Sequence, residues 1–321
     1  MDSNENLIAW FDIPYTTLTF CLRFYGSVEV PEQKVSALRG GLGEMLLQKN
    51  CVVDRKCEIC RFRECCIVWN AFYTPMRLKP DFMTGKESLG YLIECDNNET
   101  YMDELHGFVF RLKLFGRNIP LFSQYLDAFW RLGQNGIGKK HARYEIMAVF
   151  TENEEYLMDN MQLHMDRFQI RTVGEYIEER KRELGVPNGV RTGSHYNVRF
   201  ITPLALRKDR IDLDHFDAEA IWRAVHRKIQ MMSYFVEAPL ELEKPMQWPA
   251  ITESKAEKAF MKRYSNTHKK GMELKGIQGY AVLKDINEKR LEELLAGELF
   301  HIGRNNSFDF GRYQVENIHK S

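Results

Sequence analysis

The sequence has no excess charge of either sign: 45 Lys and Arg stand against 45 Asp and Glu in 321 residues. It has no apolar run long enough to cross a bilayer. Its first ten residues carry Asp2 and Glu5 and lack the basic start and apolar stretch of a secretory signal. The expectation is a cytoplasmic protein with no membrane partner. The glycines follow neither the GxxxxGK[ST] phosphate loop nor a strand-to-helix GxGxxG turn, so neither nucleotide-binding fingerprint is present. No acidic cluster suited to a catalytic metal is visible either. What is there is ordinary globular material: 44% hydrophobic, 12% aromatic and 28% charged residues. That is enough for a sizeable core, and excludes a disordered tail or a disulfide-stapled miniprotein.

The neutral total hides a pattern. Residues 1–150 hold 18 basic and 18 acidic residues, 151–190 hold 5 and 9, and 191–321 hold 22 and 18. Nucleic acid is recognised by local basic patches, which a balanced total leaves possible. Lys139, Lys140, His141 and Arg143 sit together with no acid among them. From Lys255 to Lys275, seven Lys and Arg, including Arg263, Lys269 and Lys270 around His268, face only Glu257 and Glu273.

Five of the seven cysteines lie between Cys51 and Cys66, the densest part reading Cys57-x-x-Cys60-x4-Cys65-Cys66. In a reducing compartment such a cluster points to metal more than to disulfides. A structural zinc would take Cys57, Cys60 and Cys65 with either Cys66 or Cys51 as the fourth thiolate. The other reading is a set of small, buried, reduced cysteines in a loop-rich segment.

The chain reads as one pattern written twice. Tyr15 to Phe24 alternates, with Leu18, Phe20, Leu22 and Phe24 on one face, which predicts a half-buried strand. Val35, Leu38, Leu42 and Met45 then fall at helical spacing; Gly40, Gly41 and Gly43 weaken this helix and suit a close approach of backbone or RNA. A second alternating run, Phe108 to Leu114, precedes a helical stripe of Phe122, Tyr125, Leu126, Phe129 and Trp130. A glycine turn (Gly133, Gly136, Gly138) leads into a strand from Tyr144 to Phe150. In the second half come a strand (Tyr196 to Leu206), a helix (Phe216 to Phe235) and an alternating strand with Met272, Leu274, Tyr280 and Val282. A short helix around Leu291 and Leu294 follows, then Gly303, a basic loop, Gly311 and a last strand.

The repeat is legible in letters too. Gly136-Ile137-Gly138 matches His301-Ile302-Gly303, and Ala142-Arg143-Tyr144-Glu145-Ile146 matches Gly311-Arg312-Tyr313-Gln314-Val315. The second loop is four residues longer, since 312 and 143 differ by 169 but 302 and 137 by 165. The fold class expected is α+β, two tandem ferredoxin-like βαββαβ domains. The first spans 1–150 with the cysteine-rich insertion, an acidic helical connector spans 151–190, and the second domain spans 191–321.

Glycines in a loop let backbone amides approach phosphate, and Arg304 and Arg312 add bidentate donors beside Gly303 and Gly311. A plain helix-to-strand turn is the bland alternative. The C-terminal wording, Leu299-Phe300-His301-Ile302-Gly303-Arg304 through Phe308-x-Phe310-Gly311-Arg312-Tyr313, resembles the signature of the pre-crRNA-processing endoribonucleases of CRISPR systems, the Cas-six family of the repeat-associated mysterious protein (RAMP) superfamily. Leu38-Arg39-Gly40-Gly41-Leu42-Gly43, Phe200-Ile201-Thr202-Pro203-Leu204 and Gly276-Ile277-Gln278-Gly279-Tyr280 agree with it in order. The resemblance implies CRISPR repeat RNA as the partner, with effector subunits as further partners. It also implies cleavage without a metal cofactor, in which the 2′-hydroxyl attacks and leaves a 2′,3′-cyclic phosphate and a 5′-hydroxyl.

That chemistry needs a base, an acid and cations for the phosphorane. Many members of the family place a histidine on the first helix; here Val35 to Asn50 has none, and Glu44 stands near that place. The catalytic candidates are therefore His301 beside the glycine loop, His141 in the equivalent loop of the first half, and Arg39 for phosphorane charge. The RNA-binding candidates are Lys139, Lys140, Arg143, Arg263, His268, Lys269, Lys270, Gly303, Arg304, Gly311 and Arg312. Two other readings stand beside the enzyme: a non-catalytic repeat-RNA-binding subunit, and a zinc-containing module that binds only proteins.

Overall fold

The computed structural model describes residues 10–83, 88–190, 193–242, 248–265 and 270–318. It divides into two compact units, one of Pro14–Arg77 and Thr84–Arg171, the other of Met1–Ile13, Leu78–Met83 and Thr172–Ser321.

In the unit that begins at Pro14, the alternation of Tyr15 to Phe24 becomes strand β1 (Pro14–Phe24), and Leu18, Phe20, Leu22 and Phe24 are all buried. Helix α1 (Lys34–Asn50) and the short α2 (Ile67–Phe72) precede β2 (Tyr91–Glu94) and β3 (Val109–Phe115). Helix α3 (Phe122–Asn135) and strand β4 (Tyr144–Phe150) complete the βαββαβ order. Strands β5 (Tyr156–Asp159) and β6 (Gln162–Leu163) extend the sheet in the order β2-β3-β1-β4-β5-β6, each of these pairs antiparallel, and a two-residue strand at Arg171–Thr172 also pairs with β1. Phe20 stacks on Phe110 at 4.8 Å and both meet Phe129 of α3. Each such ring contributes roughly 1.5–3 kcal/mol through burial. Trp130, expected on the apolar stripe of α3, is exposed; Leu132 and Gly133 are buried instead.

The other unit repeats the order with β7 (Ser194–Leu204), α5 (Ala218–Phe235), β8 (Ile251–Ser265), β9 (Lys270–Ile286), α6 (Glu288–Phe300) and β10 (Tyr313–Asn317), preceded by α4 (Val173–Glu183). Its sheet order is β8-β9-β7-β10. Asp217 caps α5 through the Ala220 N–H and Asn287 caps α6 through the Arg290 N–H. Ile221, Val225, Ile229 and Met232 are buried along α5, as their spacing predicts. Both units are ferredoxin-like, and the fold class is tandem ferredoxin-like α+β.

Three segments differ from expectation. Residues 151–190, read as a connector, are shared between the units: β5 and β6 lengthen the first sheet, and α4 packs on α6. The contact is ionic as well as apolar. Glu298 accepts hydrogen bonds from the Tyr176 hydroxyl, the Arg180 Nε and the Val315 N–H, each at 2.7 Å. Burial works against the Arg180 charge, but Glu298 beside it more than offsets this and holds the guanidinium more firmly protonated than usual. Second, β8 shows no clean alternation, because charged and hydroxyl residues make up most of Ile251 to Ser265; pairing with β9 along its whole length makes it a strand. Third, the alternation in β9 changes phase, so that Ala281 and Leu283 are buried while Tyr280 and Val282 lie half-exposed.

Candidate nucleic-acid interface

The two glycine loops rest on the same hydrogen-bonded frame. In the N-terminal loop the Ile137 N–H donates to Ala142 O at 2.9 Å, and the Tyr144 hydroxyl donates to Phe129 O of α3 at 2.8 Å. In the C-terminal loop the Ile302 N–H donates to Gly311 O at 3.1 Å, and the Tyr313 hydroxyl donates to Leu294 O of α6 at 2.5 Å.

On this frame the N-terminal loop puts its charges outside. Gly138, Lys139, Lys140, His141 and Arg143 are exposed. His141 is in the left-handed region at φ 50°, which turns the chain at the tip. Lys140 pairs with Glu29 at 2.9 Å, both exposed, a contact worth little. Lys139 and Arg143 make no ion pair among the described residues. The Tyr25 N–H donates to Arg143 O at 3.1 Å, which places half-exposed Tyr25 beside these cations.

The C-terminal loop turns its polar groups inward. His301 is fully buried, 3.8 Å from Asp309, and Arg312 pairs with Asp309 at 3.3 Å, both of them also buried. Asn306 clamps the loop by donating to Ile302 O and Phe310 O at 2.9 Å. His301, Asn305 and Asp309 all hold positive φ, a strain that the surrounding bonds maintain. Gly311, at φ 75°, presses on Ile302 O where no Cβ would fit. The loop is pinned to the end of β7 through the Arg304 N–H to Ala205 O bond at 3.0 Å. The expectation of His301 and Arg312 at a phosphate is therefore corrected: in this fold both are internal, because Asp309, three residues before Arg312, supplies the counter-charge. Arg304 does reach the surface, 3.3 Å from Asp212, whose carboxyl is held below the usual range by Arg207 first and Arg304 further.

The basic run between Lys255 and Lys275 is the β8–β9 hairpin, which continues beyond the point where β7 stops pairing at Leu204 and Ile277. One face packs on the glycine loop: Met261 and Leu274 meet Phe308 and Phe310, and the Arg263 guanidinium lies 4.0 Å over the Phe308 ring. The other face shows Lys258, Phe260, Lys262 and Lys275 to solvent. Arg263, expected on RNA, thus braces the loop. His268 and Lys269 lie outside the described residues, and Lys270 is described for its backbone only.

Arg39 faces inward as well. Its guanidinium stacks 5.3 Å over Phe72, and its charge acts on the buried Tyr91 hydroxyl, so it sits between α1, α2 and β2. Of the α1 glycines, Gly41 packs on Leu132 and Gly43 on Phe72, while Gly40 has open space around it. Protein packing explains two of the three.

Cys51, Cys57, Cys60, Cys65 and Cys66 line one cavity of about 430 Å³. All seven cysteines are free thiols. Burial, then the neighbouring thiols of Cys66, Cys51 and Cys60, push the Cys57 thiol up. Cys51 and Cys65 turn their sulfurs to the carbonyls of Val53 and Phe62, and Cys57 and Cys66 pack on the hydrophobic core. Among the described residues no group of three or more His, Cys, Asp or Glu is placed to hold a metal ion. The zinc expectation is not supported.

Residues 198–313 match the family model described as CRISPR-associated endoribonuclease Cas6, and residues 13–169 match a model described as the AF_1859_N N-terminal domain. A Thermus thermophilus Cas6 product complex has the same fold, with a TM-score of 0.51 at 11% identity over 95% of this chain and 99% of that one. The C-terminal part of the chain, residues 198–313, is thus Cas6-like. A second Cas6 product complex gives a TM-score of 0.50 at 13% identity, over 95% of this chain and 100% of its own. A partial Cas6-RT-Cas1–Cas2 complex gives 0.56 at 10% identity, over 96% of this chain but only 47% of that one. The chain thus spans about half the length of that relative, and 29% of the chain in the full Cas6-RT-Cas1–Cas2 complex. Curated proteins searched by sequence give no match. No helix among the described residues is long and apolar enough to cross a membrane.

Proposed function

We propose that this chain binds CRISPR repeat RNA and cuts it at one phosphodiester by attack of the neighbouring 2′-hydroxyl, without a catalytic metal, leaving a 2′,3′-cyclic phosphate and a 5′-hydroxyl. The observation that carries the reading is the cationic end of the Pro14 unit, where Lys139, His141 and Arg143 stand exposed on the frame of a buried turn. Cations there neutralise backbone phosphates and oppose charge developing at phosphorus. The exposed face of the β8–β9 hairpin adds Lys258, Lys262 and Lys275 around Phe260, which suits backbone contact with stacking on an unpaired base. The Cas6 product complexes among the similar structures support RNA as the partner. The Cas6-RT-Cas1–Cas2 likeness supports assembly with other CRISPR proteins.

A second reading has its own observation. Helix α1 offers no histidine and His301 is buried, which favours a subunit that holds repeat RNA without cutting it. Purified protein with its cognate repeat RNA in EDTA separates the two. One cut supports the enzyme; tight, salt-sensitive binding with intact RNA selects the subunit.

A further inference from the structure

We infer that His106, oriented by Asp103, is the general base for the cleavage proposed above, on which this assignment rests. His106 lies in the turn that enters β3, at the end of the sheet where β1 finishes and β4 begins. The Leu22 N–H of β1 donates to Phe108 O at 3.1 Å. Gly107 presses so closely on Leu22 O that no side chain would fit there, which fixes the backbone next to His106. On the other flank of β1, Tyr25 bonds Arg143. His106 and Arg143 thus enter strands β3 and β4 on either side of β1, two strand spacings or about 10 Å apart. Lys139, Arg143 and His106, all exposed, therefore belong to segments at the same sheet end, a separation that long side chains reaching to one sugar and its phosphodiester can span.

The local geometry sets the imidazole for proton abstraction. Asp103 Oδ1 accepts from the His106 N–H at 2.7 Å and the Leu105 N–H at 2.8 Å, and lies 2.9 Å from His106 Nδ1. Those two amides, with the imidazole, hold the Asp103 carboxyl below the usual carboxylate range, so it is an anion at neutral pH. An anion there takes the proton on Nδ1 as its hydrogen-bond donor and leaves the lone pair on Nε2. The His106 side chain is 71% exposed, so Nε2 is open to a ligand.

The other described histidines fit the role less well; His195 is half-buried within β7, in the other unit. His301 is buried, His226 is packed between Glu293, Trp222 and Trp248, and His164 is mostly covered beside Asp159. His215 borrows a carboxylate, Asp214, that already pairs with Lys258. His141 is exposed beside the cations but has no carboxylate bonded to its ring among the described residues.

In the step, His106 Nε2 takes the 2′-hydroxyl proton as the 2′-oxygen bonds to phosphorus. The P–O5′ bond breaks, and the leaving 5′-oxygen takes a proton from solvent water. The imidazolium returns its proton to solvent, and no water is consumed. Lys139 and Arg143 oppose the extra charge on the phosphorane oxygens.

The test is single-turnover cleavage of cognate repeat RNA in EDTA by full-length protein. His106→Ala is expected to slow cleavage by about 10²–10⁴-fold, with RNA affinity within about twofold of wild type, and added imidazole is expected to restore part of the rate. The acid limb of the wild-type pH–rate profile is expected to be missing from the residual rate of the variant. Asp103→Asn changes the pH profile without changing affinity, which a turn residue with no other role would not do. A His106→Ala rate within about threefold of wild type, or loss of cleavage in His141→Ala instead, overturns the assignment and leaves the enzymatic reading standing. A wild type that binds repeat RNA without cutting it overturns both.

Discussion

The loops at Gly136–Arg143 and His301–Tyr313 begin from one sequence pattern and one hydrogen-bonded frame, yet spend their charged residues in opposite ways. The shorter loop sends Lys139, Lys140, His141 and Arg143 into solvent. The longer one uses its four extra residues to fold back on itself, and buries His301, Asp309 and Arg312 under Phe308, Phe310 and the hairpin stem. A basic residue in a repeated motif therefore has no fixed meaning. Its role depends on whether a counter-charge lies within reach, and Asp309 makes that difference.

The comparison breaks first at Asp309. Asp309→Ala leaves the buried Arg312 without its carboxylate, and is expected to lower stability by about 3–5 kcal/mol, read as a fall in the denaturation midpoint. The paired substitution Lys139→Ala with Arg143→Ala should leave that midpoint in place. If both variants melt alike, the inside-outside distinction is wrong. Next in size is RNA affinity. The same Lys139 and Arg143 double variant is expected to weaken repeat binding about tenfold and to flatten its salt dependence by nearly two contacts. Arg304→Ala, a single exposed cation, should have a smaller effect of the same kind, measured by binding titrations at several salt concentrations. Phe308→Ala removes the ring under Arg263 and is expected to lower stability by about 1 kcal/mol beyond the lost burial, a difference that an Arg263→Met background should abolish. The smallest effect concerns Gly40, where a Cβ meets nothing. Gly40→Ala should stabilise the fold by up to about 1 kcal/mol; a simultaneous loss of RNA affinity would show that the open space is used by the ligand.

Much of this was legible from side-chain periodicity. The alternation of Leu18 to Phe24 and the stripe Ile221 to Met232 gave their elements directly, since each buries one face. The letter repeat around Tyr144 and Tyr313 carried the duplication, because both hydroxyls donate to a carbonyl within the neighbouring helix in the same way. What periodicity missed was decided by partners distant in sequence. β8 has almost no apolar face and becomes a strand only through β9. The α1 glycines looked like a ligand approach, but Leu132 and Phe72 fill two of the three places. The direction of Arg312 and His301 turned on Asp309, which sits within the same motif at a spacing of three and was readable as an ion-pair partner. His106 gave no motif signal at all; only the sheet end and the Asp103 contact bring it beside the cations.

The most direct measurement is the end chemistry of repeat RNA after incubation with the purified chain in EDTA, read by mass spectrometry. The account predicts a single internal cut whose upstream fragment carries a 2′,3′-cyclic phosphate and whose downstream fragment begins with a 5′-hydroxyl. Intact RNA under conditions of tight binding, or fragments beginning with a 5′-phosphate, would contradict it.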